Sequence, residues 1–248
     1  MKIMLTGGGT IGAVSPLLAI KEAMQAQGIS AEFIWIGTKK GVEREIITKE
    51  NIAYYAVSAA KLRRYFSFQI FLEPFRFVLG FFQARRIIKK FQPDLILSAG
   101  GFVSVPVVIA AKFLKKKTII HQQDIVPGLA NKIMARYADL ITVTFEDSLK
   151  DFPREKTVII GNPCRLKLFN GTKSAGAKRF DLVANVPTVL VLGGSLGAEW
   201  INKNISAIAP ELIKFCQVIH VVGRGNIQHE FAGLDRYYQF EYLYDELA

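Results

Sequence analysis

Two stretches of this 248-residue sequence carry residue types that can hold an anion without using a side chain. In the first, Lys2-Ile3-Met4-Leu5-Thr6 runs into Gly7-Gly8-Gly9-Thr10-Ile11-Gly12, where four of the last six residues are glycine. In the second, Thr188-Val189-Leu190-Val191-Leu192 runs into Gly193-Gly194-Ser195-Leu196-Gly197-Ala198. Each apolar run reads as a buried strand. Each glycine turn is followed by apolar residues at helical spacing: Val14, Leu17, Leu18 and Ala19 after the first, Ile201, Ile205, Ile208 and Leu212 after the second. A helix N-terminus offers unpaired amides and the positive end of the helix dipole, so a bare glycine turn there suits a phosphate. One such turn alone is equally a tight bend that needs positive φ. Two copies, each opening an α/β segment, predict two similar domains facing each other across a cleft. Their ligands would sit outside the carboxyl ends of the strands.

The elements that must position these turns are legible between them. Strands are predicted at 32–37, 53–57, 94–98, 118–120 and 139–143, and helices at 42–51, 69–91, 107–114 and 128–137. Strands alternating with helices at this spacing imply parallel pairing and right-handed crossovers. The first domain is expected over residues 1–163. Residues 164–248 would form a partial second domain of about three strands with an unpaired edge, and 171–185 is either a linker or its first helix.

Composition narrows the partners. Half the residues are hydrophobic and 21% are charged, so a packed core is expected. Cys164 and Cys216 fit no metal spacing and are read as structural thiols in a reducing compartment. Met1 enters a strand at once, with no basic leader or cleavage site. The net charge of +11 calls for an anionic partner: nucleic acid, an anionic membrane or a nucleotide-bearing substrate. Nucleic acid is disfavoured, because the basic residues are not interleaved with a stacking surface.

The stretch 61–82 suggests the membrane. Lys61, Arg63 and Arg64 stand beside Tyr65 and Phe66, followed by Phe68, Phe71, Phe75, Phe77, Phe81 and Phe82. Glu73, Pro74 and Arg76 leave it short of the ~20 clean apolar residues that a spanning helix needs. It is expected to lie on a bilayer with Arg63 and Arg64 toward anionic head groups and Phe66, Phe71 and Phe75 toward the acyl chains. The alternative is a long core helix with a basic cap.

The motifs together resemble the lipid II-forming N-acetylglucosaminyltransferase family. The matching runs are Gly8-Gly9-Thr10-Ile11-Gly12 with Pro16, Gly100-Gly101-Phe102-Val103-Ser104 with Pro106, and His121-Gln122-Gln123-Asp124 with Pro127-Gly128-Leu129-Ala130-Asn131. Gly161-Asn162-Pro163-Cys164-Arg165 and the second glycine turn follow in the same order. The resemblance covers essentially the whole chain. It implies a GT-B α/β fold of two Rossmann-like domains with parallel sheets, the second incomplete here. It also implies inverting transfer of N-acetylglucosamine from UDP-N-acetylglucosamine, as co-substrate and with no further cofactor or metal, to an undecaprenyl-diphosphate-linked muramoyl-pentapeptide. The expected location is the cytoplasmic membrane face, held peripherally.

On that resemblance, the donor contacts are Thr10, Ile11, Gly12, Asp124, Arg165, Ser195 and Leu243. The acceptor diphosphate falls to Gly9, Gly12, Gly100, Gly101 and Ser104, whose turns offer backbone amides. Arg165, after an Asn-Pro turn, would make a charge-assisted bond to a donor phosphate. The sequence departs from the family at Ala13, where the family has a histidine, and at Ile11, whose branched side chain should narrow access to the backbone. His121 and Asp124 remain as candidates to take the acceptor hydroxyl's proton, although a histidine after a strand is also an ordinary structural residue. The family continues past the region of Tyr242–Asp245, so the 248 residues alone are not expected to turn over. The competing reading is a catalytically degenerate membrane-associated binding protein lacking the donor half.

Overall fold

Strand β1 (Lys2–Thr6) is buried from Ile3 to Thr6 and apolar from Ile3 to Leu5, because both of its faces are covered, as parallel sheets require. In the computed structural model, which describes residues 1–59, 72–193 and 197–243, it lies in the interior of a seven-stranded parallel sheet. The others are β2 (Glu32–Gly37), β3 (Ala53–Ala56), β4 (Leu95–Ser98), β5 (Lys117–Gln122), β6 (Leu140–Val143) and β7 (Thr157–Ile159). Their spatial order is β3-β2-β1-β4-β5-β6-β7. The order reverses between β1 and β4, where Thr6 pairs with Ser98, so the turns leaving these two strands emerge side by side. That is the point at which ligands bind in open α/β sheets.

Helices α1 (Ser15–Ala26), α2 (Glu43–Lys49), α3 (Glu73–Phe91), α4 (Ser104–Phe113) and α5 (Leu129–Met134) connect the strands. One core cluster joins Met4, Ile34, Ile36 and Ile96 to Ala84 and Ile88 of α3 and Val107 and Ala110 of α4. A second joins Ile120, Ile141 and Val143 to Val108 and Met134. Two differences from the sequence reading bear on the site. Helix α4 begins before Pro106, because proline is tolerated in a first turn where its missing N–H is not needed. Strand β5 runs on to Gln122, which places His121 within the sheet. The helix expected from 69 is described from Leu72 onward, and Arg63, Arg64, Phe66 and Phe71 lie outside the described residues.

The chain divides into two compact units, Met1–Arg165 and Leu166–Ala248. In the second, α6 (Lys173–Arg179) starts at Thr172, whose hydroxyl accepts the Ala175 amide at 3.2 Å. Strands β8 (Thr188–Leu192), β9 (Gln217–Val221) and β10 (Tyr237–Phe240) form a parallel sheet in the order β10-β9-β8, with α7 (Glu199–Leu212) crossing between β8 and β9. Strand β9 is wholly buried. Strand β8, expected to be buried, leaves Val189, Leu190 and Leu192 exposed, since among the described residues it pairs on one side only. The two tryptophans fall one to each unit. Trp35 on β2 is fully buried and Trp200 on α7 is 76% exposed.

Candidate functional site

The turns after β1 and β4 meet α5 and the segment after β5 around a cavity of about 210 Å³. Thr10, Gly12 and Ala13 come from the first turn, Ala99, Gly100 and Gly101 from the second. Gln122, Gln123 and Asp124, then Gly128, Ala130 and Asn131, complete the lining. The first turn closes when Val14 and Ser15 donate their amides to the Ile11 carbonyl, at 2.8 and 3.1 Å. The second closes when Ser104 donates to the Gly101 carbonyl at 3.1 Å. Ahead of each closure the chain leaves amides without a protein acceptor among the described residues: Gly12 and Ala13 in one turn, Gly101 in the other. Two helix N-termini, those of α1 and α4, thus present donors and positive dipole ends to one space.

Close backbone packing sets the geometry. Gly9, Gly100 and Gly101 have φ of 90°, 100° and 90°. A β-carbon at Gly101 would lie 2.5 Å from the Gly8 carbonyl oxygen, so the two turns touch through bare backbone. Trp35 holds the first turn from below, its indole N–H donating to the Gly7 carbonyl at 3.1 Å.

Not every expected contact faces the cavity. The Gly9 amide donates to Glu43 at 3.2 Å and the Gly100 amide to the Ser98 hydroxyl at 3.2 Å. Ser104 is fully buried, and its hydroxyl donates to the Gly100 carbonyl at 2.9 Å, so it shapes the turn from inside. Ile11 lies off the lining. His121 is also off the lining. It is 3% exposed, with Nδ1 3.0 Å from the Thr142 hydroxyl and Nε2 3.5 Å from that of Thr144, because it belongs to β5 rather than to the loop. Asp124 is exposed at the cavity rim.

Arg165 is 7% exposed and surrounded by carboxylates of its own unit. Its Nε donates to Glu22 at 2.7 Å and a terminal nitrogen to Glu50 at 2.5 Å, so the structure shows this arginine neutralised internally. Leu243 is 4% exposed and packs with Phe180, Ile219 and Val221 in the core of the second unit. Ser195 lies outside the described residues.

Asn131 was not singled out from the sequence, yet it is the one buried side chain lining this cavity whose oxygen lacks a partner among the described residues. Its amide nitrogen donates to the His121 carbonyl at 3.2 Å and to Gln122 Oε1 at 2.6 Å, which fixes the orientation and leaves Oδ1 as a free acceptor beside Gly100. A buried acceptor without a donor is costly, and a ligand hydroxyl or amide would satisfy it.

In the second unit a buried chain of hydrogen bonds ties α7 to β9 and β10. The Asn202 amide donates to the Val222 carbonyl at 2.8 Å, while its oxygen lies 3.2 Å from His220 Nε2. His220 Nδ1 lies 2.7 Å from the Tyr237 hydroxyl. Asn202 Oδ1 can only accept, so His220 donates from Nε2 and accepts the Tyr237 proton at Nδ1. Burial lowers the pKa of both His220 and His121 below the ordinary 6.5 and keeps them neutral. The folded chain therefore binds fewer protons than the unfolded chain once pH falls below about 6.5, and stability present above that pH is lost on acidification. The melting temperature is expected to fall between about pH 7.5 and 5.5, and to fall less in a His121→Asn/His220→Gln double variant. Equal declines in both proteins would refute this origin.

The profile of the glycosyltransferase family 28 N-terminal domain matches residues 3–143. A UDP-N-acetylglucosamine--N-acetylmuramyl-(pentapeptide) pyrophosphoryl-undecaprenol N-acetylglucosamine transferase of Clostridium perfringens is 44% identical over 246 residues, covering 99% of this chain and 68% of its own length. A protein of the same name from Clostridium tetani is 43% identical with the same coverage. The crystal structure of Acinetobacter baumannii MurG matches with a TM-score of 0.65 at 24% identity, covering 98% of this chain and 66% of that one. That likeness bears on the fold, which is of the GT-B type. The chain thus spans about two thirds of the length of the proteins it matches. With a family profile matched over more than half its residues and a relative 44% identical along nearly all of it, the chain belongs to glycosyltransferase family 28, among the UDP-N-acetylglucosamine-dependent transferases that act on pyrophosphoryl-undecaprenol-linked acceptors.

Proposed function

We propose that this chain carries the acceptor half of an enzyme that transfers N-acetylglucosamine from UDP-N-acetylglucosamine to undecaprenyl-diphosphate-linked muramoyl-pentapeptide. The observation that carries the reading is the cavity at the β1/β4 switch point, where free amides of Gly12, Ala13 and Gly101 converge. The acceptor diphosphate sits on those amides, its charge met by the two helix N-termini. Asn131 Oδ1 accepts from a hydroxyl or amide of the adjoining sugar. The acceptor hydroxyl attacks the anomeric carbon as the bond to UDP breaks, and Asp124 at the rim takes the hydroxyl's proton. Thr10 and Gly12, on the same turn, face the donor; no cofactor beyond the sugar nucleotide is proposed. The test is transfer of labelled N-acetylglucosamine from UDP to a lipid-linked acceptor by the 248 residues joined to the part of the Clostridium perfringens relative that they do not span, and by the Asp124→Asn variant of that fusion. Transfer that needs UDP-N-acetylglucosamine and falls at least about 100-fold in the variant supports the reading. No transfer by the unaltered fusion, with lipid and donor supplied, would overturn it.

The membrane face we assign to α3. Phe75, Val78, Leu79 and Phe82 form an exposed stripe at helical spacing, and exposed Arg85, Arg86, Lys89 and Lys90 continue the same helix. No helix among the described residues is long and apolar enough to cross a membrane. An apolar stripe beside cations suits a helix lying on an anionic surface. Binding to phosphatidylglycerol vesicles is expected to weaken with added salt and to fall about tenfold or more in a Phe75→Ser/Phe82→Ser variant. Binding that ignores both changes would remove this assignment.

A further inference from the structure

We infer that Glu43 is a positioning residue for the diphosphate site, setting the relative placement of both glycine turns from beneath them. This rests on the transferase reading and deepens it. Glu43 opens α2, far from either turn in sequence, and is fully buried. Among the described residues no cation pairs with it; its carboxylate is held by neutral donors alone. One oxygen accepts the Gly9 amide at 3.2 Å. The other accepts the Thr38 amide at 2.8 Å and the Thr38 hydroxyl at 2.5 Å, with the Tyr54 hydroxyl 3.3 Å away. Tyr54 donates mainly to the Thr38 carbonyl at 2.6 Å, and its phenol is held protonated by burial first and by the Glu43 charge second.

The carboxylate also occupies the space that a β-carbon on Gly8 would need, while the Gly8 carbonyl occupies the space that one on Gly101 would need. Glu43, Gly8 and Gly101 therefore stack in sequence. A shift of the carboxylate moves the first turn, and the first turn moves the second. By taking the Gly9 amide inward, Glu43 also decides which amides are left for the ligand: Gly12 and Ala13 stay free while Gly9 does not. An anion placed behind a phosphate site repels its ligand, so its retention there fits a geometric duty. Its opposing donors neutralise much of that field.

Glu43→Gln preserves shape but replaces one acceptor oxygen with an N–H donor, which cannot serve both the Gly9 and the Thr38 amides. The probe is farnesyl diphosphate, a short prenyl diphosphate, titrated calorimetrically into the full chain. Its dissociation constant is expected to rise about tenfold or more, with faster deuterium uptake across residues 7–14 and 99–103 and the dissociation constant for UDP-N-acetylglucosamine within about twofold. Glu43→Asp, which keeps the charge one methylene short, should recover part of the loss. A folded Glu43→Gln protein with unaltered farnesyl diphosphate affinity overturns the inference, and so does equal loss of donor and acceptor binding. If Glu43→Gln does not fold, Thr38→Val/Tyr54→Phe leaves the carboxylate in place without its hydroxyl partners and should weaken the probe in the same direction; unchanged affinity there also overturns it. Probe binding is read without turnover, so this inference and the transferase reading fail separately.

Discussion

In the enzyme completed by the part this chain does not span, Gly101→Ala is expected to lose at least about 100-fold in transfer rate. The new methyl would meet the Gly8 carbonyl oxygen at 2.5 Å and the Gly8 nitrogen at 3.1 Å, both backbone atoms that no rotamer change can move. It would also sit at φ 90°, where alanine is strained. Strain of about 1–3 kcal/mol and overpacking of similar size together cost about 2–6 kcal/mol, within reach of a domain's total stability. The turns can relieve the clash only by parting, which separates the amides of Gly12 and Ala13 from that of Gly101. Two neighbours isolate the cause. Gly9 shares the φ of 90° but has open space around its β-position, so Gly9→Ala should show strain alone, about 1–2 kcal/mol. Gly128 has open space and an ordinary φ of −65°, so Gly128→Ala should be close to neutral. Initial rates and melting temperatures of the three variants check the series, and Gly101→Ala activity within about threefold of the parent would show that contact between the turns is not needed.

Arg165→Ala should act on stability before it acts on donor binding. The guanidinium bridges Glu22 of α1 and Glu50 at the end of α2, with side-chain exposures of 9%, 19% and 17% for Arg165, Glu22 and Glu50. Lys21 adds a 3.8 Å ion pair to Glu50. Removing one partner of a buried pair costs about 3–5 kcal/mol, and partial exposure here reduces that to about 2–4 kcal/mol. The melting temperature of a unit this size should fall by about 5–15 °C. Arg165→Lys should recover less than half of it, since a point-like ammonium does not reproduce the planar fork that Nε and a terminal nitrogen offer to the two carboxylates. Adding Glu22→Gln/Glu50→Gln to the alanine variant should restore stability, because the orphaned charges are then gone. A variant that melts like the parent but needs far more UDP-N-acetylglucosamine would return Arg165 to the phosphate contact that its Asn-Pro setting suggests.

The parts of this fold that could be read from the residues are those governed by local pattern. Buried parallel strands are continuous apolar runs, so β1, β2 and β4 stand out by composition, and glycine clusters mark the turns where backbone must approach backbone. What escaped reading depends on neighbours distant in sequence. Glu43 looks like an ordinary acid in a helix's first turn until β2 is placed beside β1. Asn131 looks like a helix polar residue until β5 and α5 carry it to Gly100. Arg165 reads as a donor-phosphate contact, because its carboxylate partners lie 143 and 115 residues earlier. His121 was misplaced for a smaller reason: a strand two residues longer turns a loop histidine into a sheet histidine. The exposure of β8 is likewise set by which strands pair with it and not by its own apolar run.

The placement of the two tryptophans makes the protein its own optical gauge. Trp35, sealed from solvent and bonded to the Gly7 carbonyl, should emit at short wavelength and resist iodide, and its emission should move when a diphosphate tightens the turn above it. Trp200, open to solvent in the other unit, should emit at longer wavelength and be quenched readily, so a single fluorescence spectrum resolves events in each half of the chain without a label.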